Sequence, residues 1–195
     1  MKRRLVSTVL ALAMTVTLLA GCGSKDGGET ASNSDEITLA VVGPQTGDNA
    51  EYGKTMKTAA QIAVDEWNEK GGVIGKQIKL VDYDDANSSE QAASIAEKIV
   101  GDESICAVMG HFASGVAMTA AEVYQEAGIA LVNGSAAHMD YAKIGDCIFR
   151  NNAIYTTDAN TMLQIMEYLG VQKFGILNPN TDAGISVTSA VQEMM

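Results

Sequence analysis

The sequence predicts an α/β fold built on a doubly wound parallel sheet. Short apolar runs alternate with amphipathic segments of helical period from Ile37 onward, the signature of repeated βα units. Gly- and Pro-containing turns mark the switches between the two periods. Crossovers between parallel strands are right-handed, so helices of this length cover both faces of the sheet.

Each element follows from its own residues. Ile37–Gly43 (ITLAVVG) reads as a buried strand, and Glu51–Lys70 as a helix with Met56, Ala60, Ala63 and Trp67 on one face. Gly71-Gly72 stops that helix as a left-handed C-terminal cap. Gln77–Tyr83 is a second strand. Ser88 opens the next helix with Gln91 three residues on, and Ala92, Ile95, Ala96 and Ile99 form its apolar stripe. Ile105–Met109 is a strand, Ser114–Glu126 a helix, Ile129–Val132 a strand and Ile148-Phe149 a short strand. Asp158 caps a helix running to Leu169, Phe174–Leu177 is a strand, and a last helix begins near Gly184. Ligand loops in such a sheet lie at the strand C-termini, near a topological switch point.

The N-terminus has a different character. Lys2, Arg3 and Arg4 precede an apolar run from Leu5 to Ala20, and Ala20-Gly21 leads into Cys22. This is a secretory signal peptide over residues 1–21. It is short and interrupted by Ser7, Thr8, Thr15 and Thr17, unlike a membrane span. Leu19-Ala-Gly-Cys22 resembles the bacterial lipobox, which implies a diacylglycerol anchor on Cys22. Residues 22–36 are rich in Gly, Ser and charge and read as a flexible tether. The chain carries 13 basic and 24 acidic residues; without Lys2, Arg3 and Arg4 it has 10 against 24. That balance argues against nucleic-acid binding. It suits an exported body held beside a bilayer.

Several motifs carry no catalytic chemistry. Gly53-Lys54-Thr55 ends the first βα loop, but five residues separate it from Gly47 where a phosphate-binding loop needs four, and Asp48 and Glu51 would repel phosphate. No nucleophile elbow, HExxH or dinucleotide glycine fingerprint occurs. Asp82, Asp84 and Asp85 read as solvated loop charges, and His111 and His138 as hydrogen-bonded loop histidines rather than a metal pair. Cys106 and Cys147 are expected on non-neighbouring strands as two buried thiols; a bridge is the alternative.

Four segments, GPQTGDNAEYG, AVDEWNEKGGVIGKQIKLVDYDDANSSEQA, VMGHFASGVAMTAAEVYQEAGIALVNGSAAH and FRNNAIYTTDAN, occur in this order. Together they resemble the periplasmic leucine/isoleucine/valine-binding proteins, the amino-acid receptors of ABC importers. The resemblance implies a type I periplasmic binding fold of two lobes. Residues 37–150 would be the first lobe, 151–157 a hinge strand, and 158–195 the start of the second, with the chain cut short at Met195.

Ser114 follows Met109-Gly-His-Phe-Ala at a strand C-terminus. As N-cap of the next helix, its hydroxyl and the free N–H groups there form a carboxylate site, with Gly115 leaving room for close approach. The resemblance assigns the remaining ligand contacts. Tyr52 would cover the ligand side chain. The Ser135–Ala136–Ala137 loop would offer the Ser135 carbonyl to an ammonium group, but Ala137 lacks the hydroxyl that the family places there. Ala183 stands where the family usually has tyrosine, which enlarges the side-chain pocket.

The implied function is a lipid-anchored, monomeric solute-binding protein that captures an amino acid between its lobes and delivers it to an ABC permease. A signalling receptor of the same fold is the alternative. No enzyme activity, cofactor or metal is expected.

Overall fold

The computed structural model describes residues 36–195. Five parallel strands form one sheet: β1 (Glu36–Gly43), β2 (Gln77–Asp84), β3 (Ile105–Gly110), β4 (Ala130–Asn133) and β5 (Ile148–Arg150), in the order β2-β1-β3-β4-β5. The helices are α1 (Ala50–Glu69), α2 (Ser89–Val100), α3 (Ser114–Ala127), α4 (Tyr155–Tyr168) and α5 (Asp182–Met194). A 3-10 turn, Tyr141–Lys143, precedes β5.

Alternation along the strands sends side chains to two faces. On one face Ala40, Val42, Val108 and Leu131 pack against Ala92, Ala96 and Ile99 of α2 and against Val116, Ala117, Ala120 and Tyr124 of α3. On the other, Leu39 and Leu80 meet Ala60, Val64 and Trp67 of α1. Because α1 leads outward to β2 while α2 crosses back over β1 to reach β3, the chain reverses direction between β1 and β3. The C-terminal ends of those two strands are the switch point.

Local chemistry places α1. The chain leaves it through Gly71 (φ +97°) and Gly72 (φ +76°), a left-handed pair that only glycine adopts freely. Gly53 is buried within α1, and a Cβ there would lie 1.8 Å from the Pro44 carbonyl oxygen. The Gly-Lys-Thr run therefore serves close packing of helix on loop. Ala63 and Trp67 of the expected apolar stripe are exposed, because α1 covers β1 and β2 but leaves the neighbouring strands open on that face.

Four expectations are corrected. Phe174–Leu177 is not a strand: residues 171–179 have no regular structure, and no strand lies beside them among the described residues. A β-propensity run without a ladder partner leaves its backbone groups unpaired. The expected hinge strand at 151–157 is irregular to Ile154 and helical from Tyr155. Asp158 consequently sits in the first turn of α4 rather than capping it, as carboxylates at a helix N-terminus commonly do. Finally, Cys106 is exposed and Cys147 half-buried, both free. Cys106 is the extra residue in a register shift between Thr38 and Leu39, which turns it out of the core. Cys106 lies in β3 and Cys147 immediately before β5 rather than on it, with β4 between those two strands. Cys22 and the signal and tether segments to Asp35 lie outside the described residues.

Candidate ligand cleft

A cavity of about 530 Å³ opens at the C-terminal edge of the sheet. Its walls come from the starts of the five described helices: Asn49 before α1, Ser89 of α2, Ala113, Ser114 and Val116 of α3, Tyr155 of α4, and Thr181 and Ala183 of α5. Asn87, Phe112 and Ser135 complete it. In a parallel α/β sheet every βα crossover begins at the same edge, so helix N-termini gather there. Each contributes unpaired N–H groups and a partial positive charge. No Asp, Glu, Lys or Arg side chain lines the cavity among the described residues. The site is thus uncharged, with polar and apolar side chains and helix N-termini around it, and it suits an anionic group such as a carboxylate.

The start of α3 is the part best prepared for one. The N-cap residue is Ala113, which has no side chain to cap with, so the first-turn N–H groups receive no side-chain acceptor. This corrects the expected role of Ser114, which is the first helical residue instead. Ser114 is 7% exposed, and its Oγ accepts from the Ala137 N–H at 3.2 Å. A hydroxyl that accepts from one partner still has its own proton to donate. Gly115 is the second residue of the helix and adds no Cβ to this turn.

The loop after β4 is held from within. Asn133 is fully buried; its Nδ2 donates to the carbonyls of Gly110 (2.7 Å) and His111 (2.8 Å). Its Oδ1 accepts from the Ser135 N–H at 2.7 Å and from the Ala136 N–H. Ser135 lines the cavity and donates its hydroxyl to the Phe112 carbonyl at 2.7 Å. The Ser135 carbonyl accepts no hydrogen bond among the described residues. Ala136 and Ala137 are buried behind the wall, and the Ala137 carbonyl accepts from the Tyr155 N–H at 3.2 Å, joining this loop to α4.

Tyr52 is 55% exposed and does not line the cavity; it stacks on Phe112, which does, with ring centroids 4.3 Å apart. Ala183 reaches the cavity from α5, whose N-cap Thr181 accepts from the Gly184 N–H. The structure thus brings Ser114, Ser135 and Ala183 to one cavity, with Tyr52, Gly115, Ala136 and Ala137 around it. Sequence reasoning missed Asn49, Asn87, Ser89, Phe112, Tyr155 and Thr181. The signal was available for most of them, since helix-start residues after parallel strands converge on one edge.

The acidic end of β2 and the loop after it are not simply solvated. Lys57 holds the Asp82 carboxyl below its usual range through an ion pair at 2.9 Å. Burial alone would raise Asp84, but hydrogen bonds from Thr46 Oγ1 (2.6 Å) and from the Gln45 and Ala86 N–H groups outweigh it and lower it. Asp85 is fully buried and bonds to His111, also fully buried, at 2.6 Å. The solvated reading fails at Asp85 because the chain after β2 turns over the end of β1, where the Asp85 N–H donates to the Gly43 carbonyl at 3.3 Å, and so reaches His111 beyond β3. His111 and His138 are hydrogen-bonded loop residues as expected, His138 Nδ1 accepting from the Asp140 N–H. No cluster of three metal-ligating side chains occurs among the described residues.

The pattern of the periplasmic binding protein family matches residues 36–195. The chain belongs to that family. Over 179 residues it is 32% identical to the Leu/Ile/Val/Thr-binding protein of Salmonella typhimurium, covering 91% of this chain and 48% of that protein. The Leu/Ile/Val-binding protein of Escherichia coli K12 is 32% identical over 178 residues, with 90% and 48% covered. Among solved structures, the branched-chain amino acid transporter substrate-binding protein of Streptococcus pneumoniae in complex with isoleucine superposes with a TM-score of 0.72. It is 28% identical and covers 81% of this chain and 46% of that one. The chain spans about half the length of the curated relatives it matches. These comparisons bear out the type I periplasmic binding fold and its relation to the branched-chain amino acid binding proteins.

Proposed function

We propose that this chain forms the ligand-holding side of a solute-binding protein that captures an amino acid, of branched-chain type or a similar small polar solute, for an ABC permease. Residues 37–150 act as the first lobe, 151–157 as the hinge and 158–195 as the beginning of the second lobe. The observation that carries the reading is the uncapped N-terminus of α3 beside the Ser114 hydroxyl, at the switch point of the sheet. A carboxylate there receives N–H and O–H donors together with the helix dipole. The Ser135 carbonyl is the acceptor for the ammonium group. Phe112, backed by the Tyr52 ring stacked on it, supplies apolar cover, and Ala183 leaves space for the side chain. Capture needs no bond to break, and hinge closure over the ligand completes the site. The protein is exported as a monomer and tethered through lipid on Cys22.

The test is a titration of the isotopically labelled full chain with L-leucine, L-isoleucine and L-valine at millimolar concentration, followed by amide NMR. Saturable shifts confined to Ser114, Gly115 and Ser135–Ala137, and weakened in Ser114→Ala, are expected. Shifts absent or scattered for every amino acid tried would overturn the ligand assignment. Labelled fatty acid should enter the protein in cells and fail to enter Cys22→Ser; equal labelling of both would overturn the anchor.

A further inference from the structure

Capture as set out above makes no use of the buried pair Asp85 and His111. Asp85 follows the end of β2 and His111 the end of β3, with β1 between them in the sheet. Both side chains are fully buried, and His111 Nδ1 lies 2.6 Å from Asp85 Oδ2. The other carboxylate oxygen accepts from the Asn87 N–H at 2.8 Å. On its far side, the His111 carbonyl accepts from Asn133 Nδ2 at 2.8 Å, and Asn133 Oδ1 accepts from the Ser135 N–H at 2.7 Å. One hydrogen-bonded chain therefore runs Asn87–Asp85–His111–Asn133–Ser135 through the loops after β2, β3 and β4. It begins and ends on residues that line the cleft.

Filling space does not explain this arrangement. A carboxyl and an imidazole cost more to bury than apolar side chains of the same volume, and a buried hydrogen-bonded pair of this kind adds little net stability over them. What the pair supplies is direction. Among the described residues His111 Nε2 has no hydrogen-bond partner, so the bond to Asp85 is the one hydrogen bond that orients the ring, which lies tilted 6.2 Å from the Tyr124 ring. His111 is in turn three residues before Ser114, on the short segment that delivers the start of α3 to the cleft. We propose that Asp85 and His111 are positioning residues for the ligand: their bond fixes Phe112, Ala113 and Ser114 relative to Asn87 and Ser135. A cleft assembled from separate loops holds its donors in register only if the loops are tied to one another.

The test uses the full chain. His111→Asn places an amide nitrogen close to where Nδ1 stood and keeps the bond to Asp85, whereas His111→Leu removes it. Amide resonances of Asn87, Ser114 and Ser135 should move together in His111→Leu and stay near wild type in His111→Asn, while those of Ala190 in α5 stay put in both. Affinity for L-leucine, which rests on the amino-acid reading, should fall about tenfold in His111→Leu and return to within about threefold of wild type in His111→Asn. Should His111→Leu fail to fold, Asp85→Ala carries the same comparison, because it removes the bond from the other side. The proposal is overturned if the folded variant lacking the bond leaves those three amides in place, or if His111→Asn moves them as far as His111→Leu. If wild type binds no amino acid, the ligand reading fails and the amide comparison alone decides the positioning role.

Discussion

Replacing Asn133 with alanine tests how the cleft is held together. Its side chain donates to the Gly110 and His111 carbonyls and accepts from the Ser135 and Ala136 N–H groups, all from a fully buried position. Truncation removes the Asn133 partner from all four, although the Ser135 hydroxyl, 3.1 Å from the His111 carbonyl, can still serve that one. Leaving a buried polar group unsatisfied costs about 1–3 kcal/mol, so the other three could cost up to about 9 kcal/mol. The vacated space can take up a water that restores some of the bonds. A loss of about 3–5 kcal/mol is therefore expected, a large share of the roughly 5–15 kcal/mol that stabilises a domain. Urea unfolding of wild type and variant, followed by circular dichroism and compared at equal m-value, measures it. A loss below about 1 kcal/mol would refute the claim that Asn133 satisfies these groups in the folded state.

Gly53→Ala should destabilise by about 1–3 kcal/mol or more and displace the Gly43–Asn49 loop, because the new Cβ would lie 1.8 Å from the Pro44 carbonyl; denaturant unfolding with amide shifts of the loop checks this. The lowered carboxyls of Asp82 and Asp84 contribute stability that is fully present above their unfolded value of 3.8 and is lost as pH falls below it. Thr46→Val removes a bond that lowers Asp84, so its thermal midpoint should approach that of wild type as pH falls from 6 toward about 2.5; a constant difference across that range would contradict the assignment. Lys57→Ala breaks an exposed ion pair and should change stability by less than about 0.5 kcal/mol at physiological salt, measured by the same unfolding assay.

Much of this fold was legible because its information is local. Alternating apolar runs, the Ser88 cap whose Oγ accepts from the Gln91 N–H, and Gly71-Gly72 each announce themselves within a few residues. The failures share a cause. Phe174–Leu177 has strand composition, but a strand exists only with a partner, which composition does not supply. Ser114 resembles an N-cap by residue type, yet the helix begins one residue earlier than that role requires, and its hydroxyl serves the Ala137 N–H instead.

By itself the sequence determined the order of strands and helices as far as the fifth strand, the edge of the sheet where the cleft opens, and the family resemblance that names its class. Hydrophobic periodicity, turn chemistry and contiguous motifs are properties of neighbouring residues, so they can be read from a line of letters. Only the tertiary structure decided that Asp85 is buried against His111, 26 positions away, and that Asn133 reaches Gly110, 23 positions back. Packing parallel strands side by side sets these loops against one another and withdraws water from between them. Burial then turns an aspartate that looks like a surface charge into a fixed hydrogen-bond acceptor.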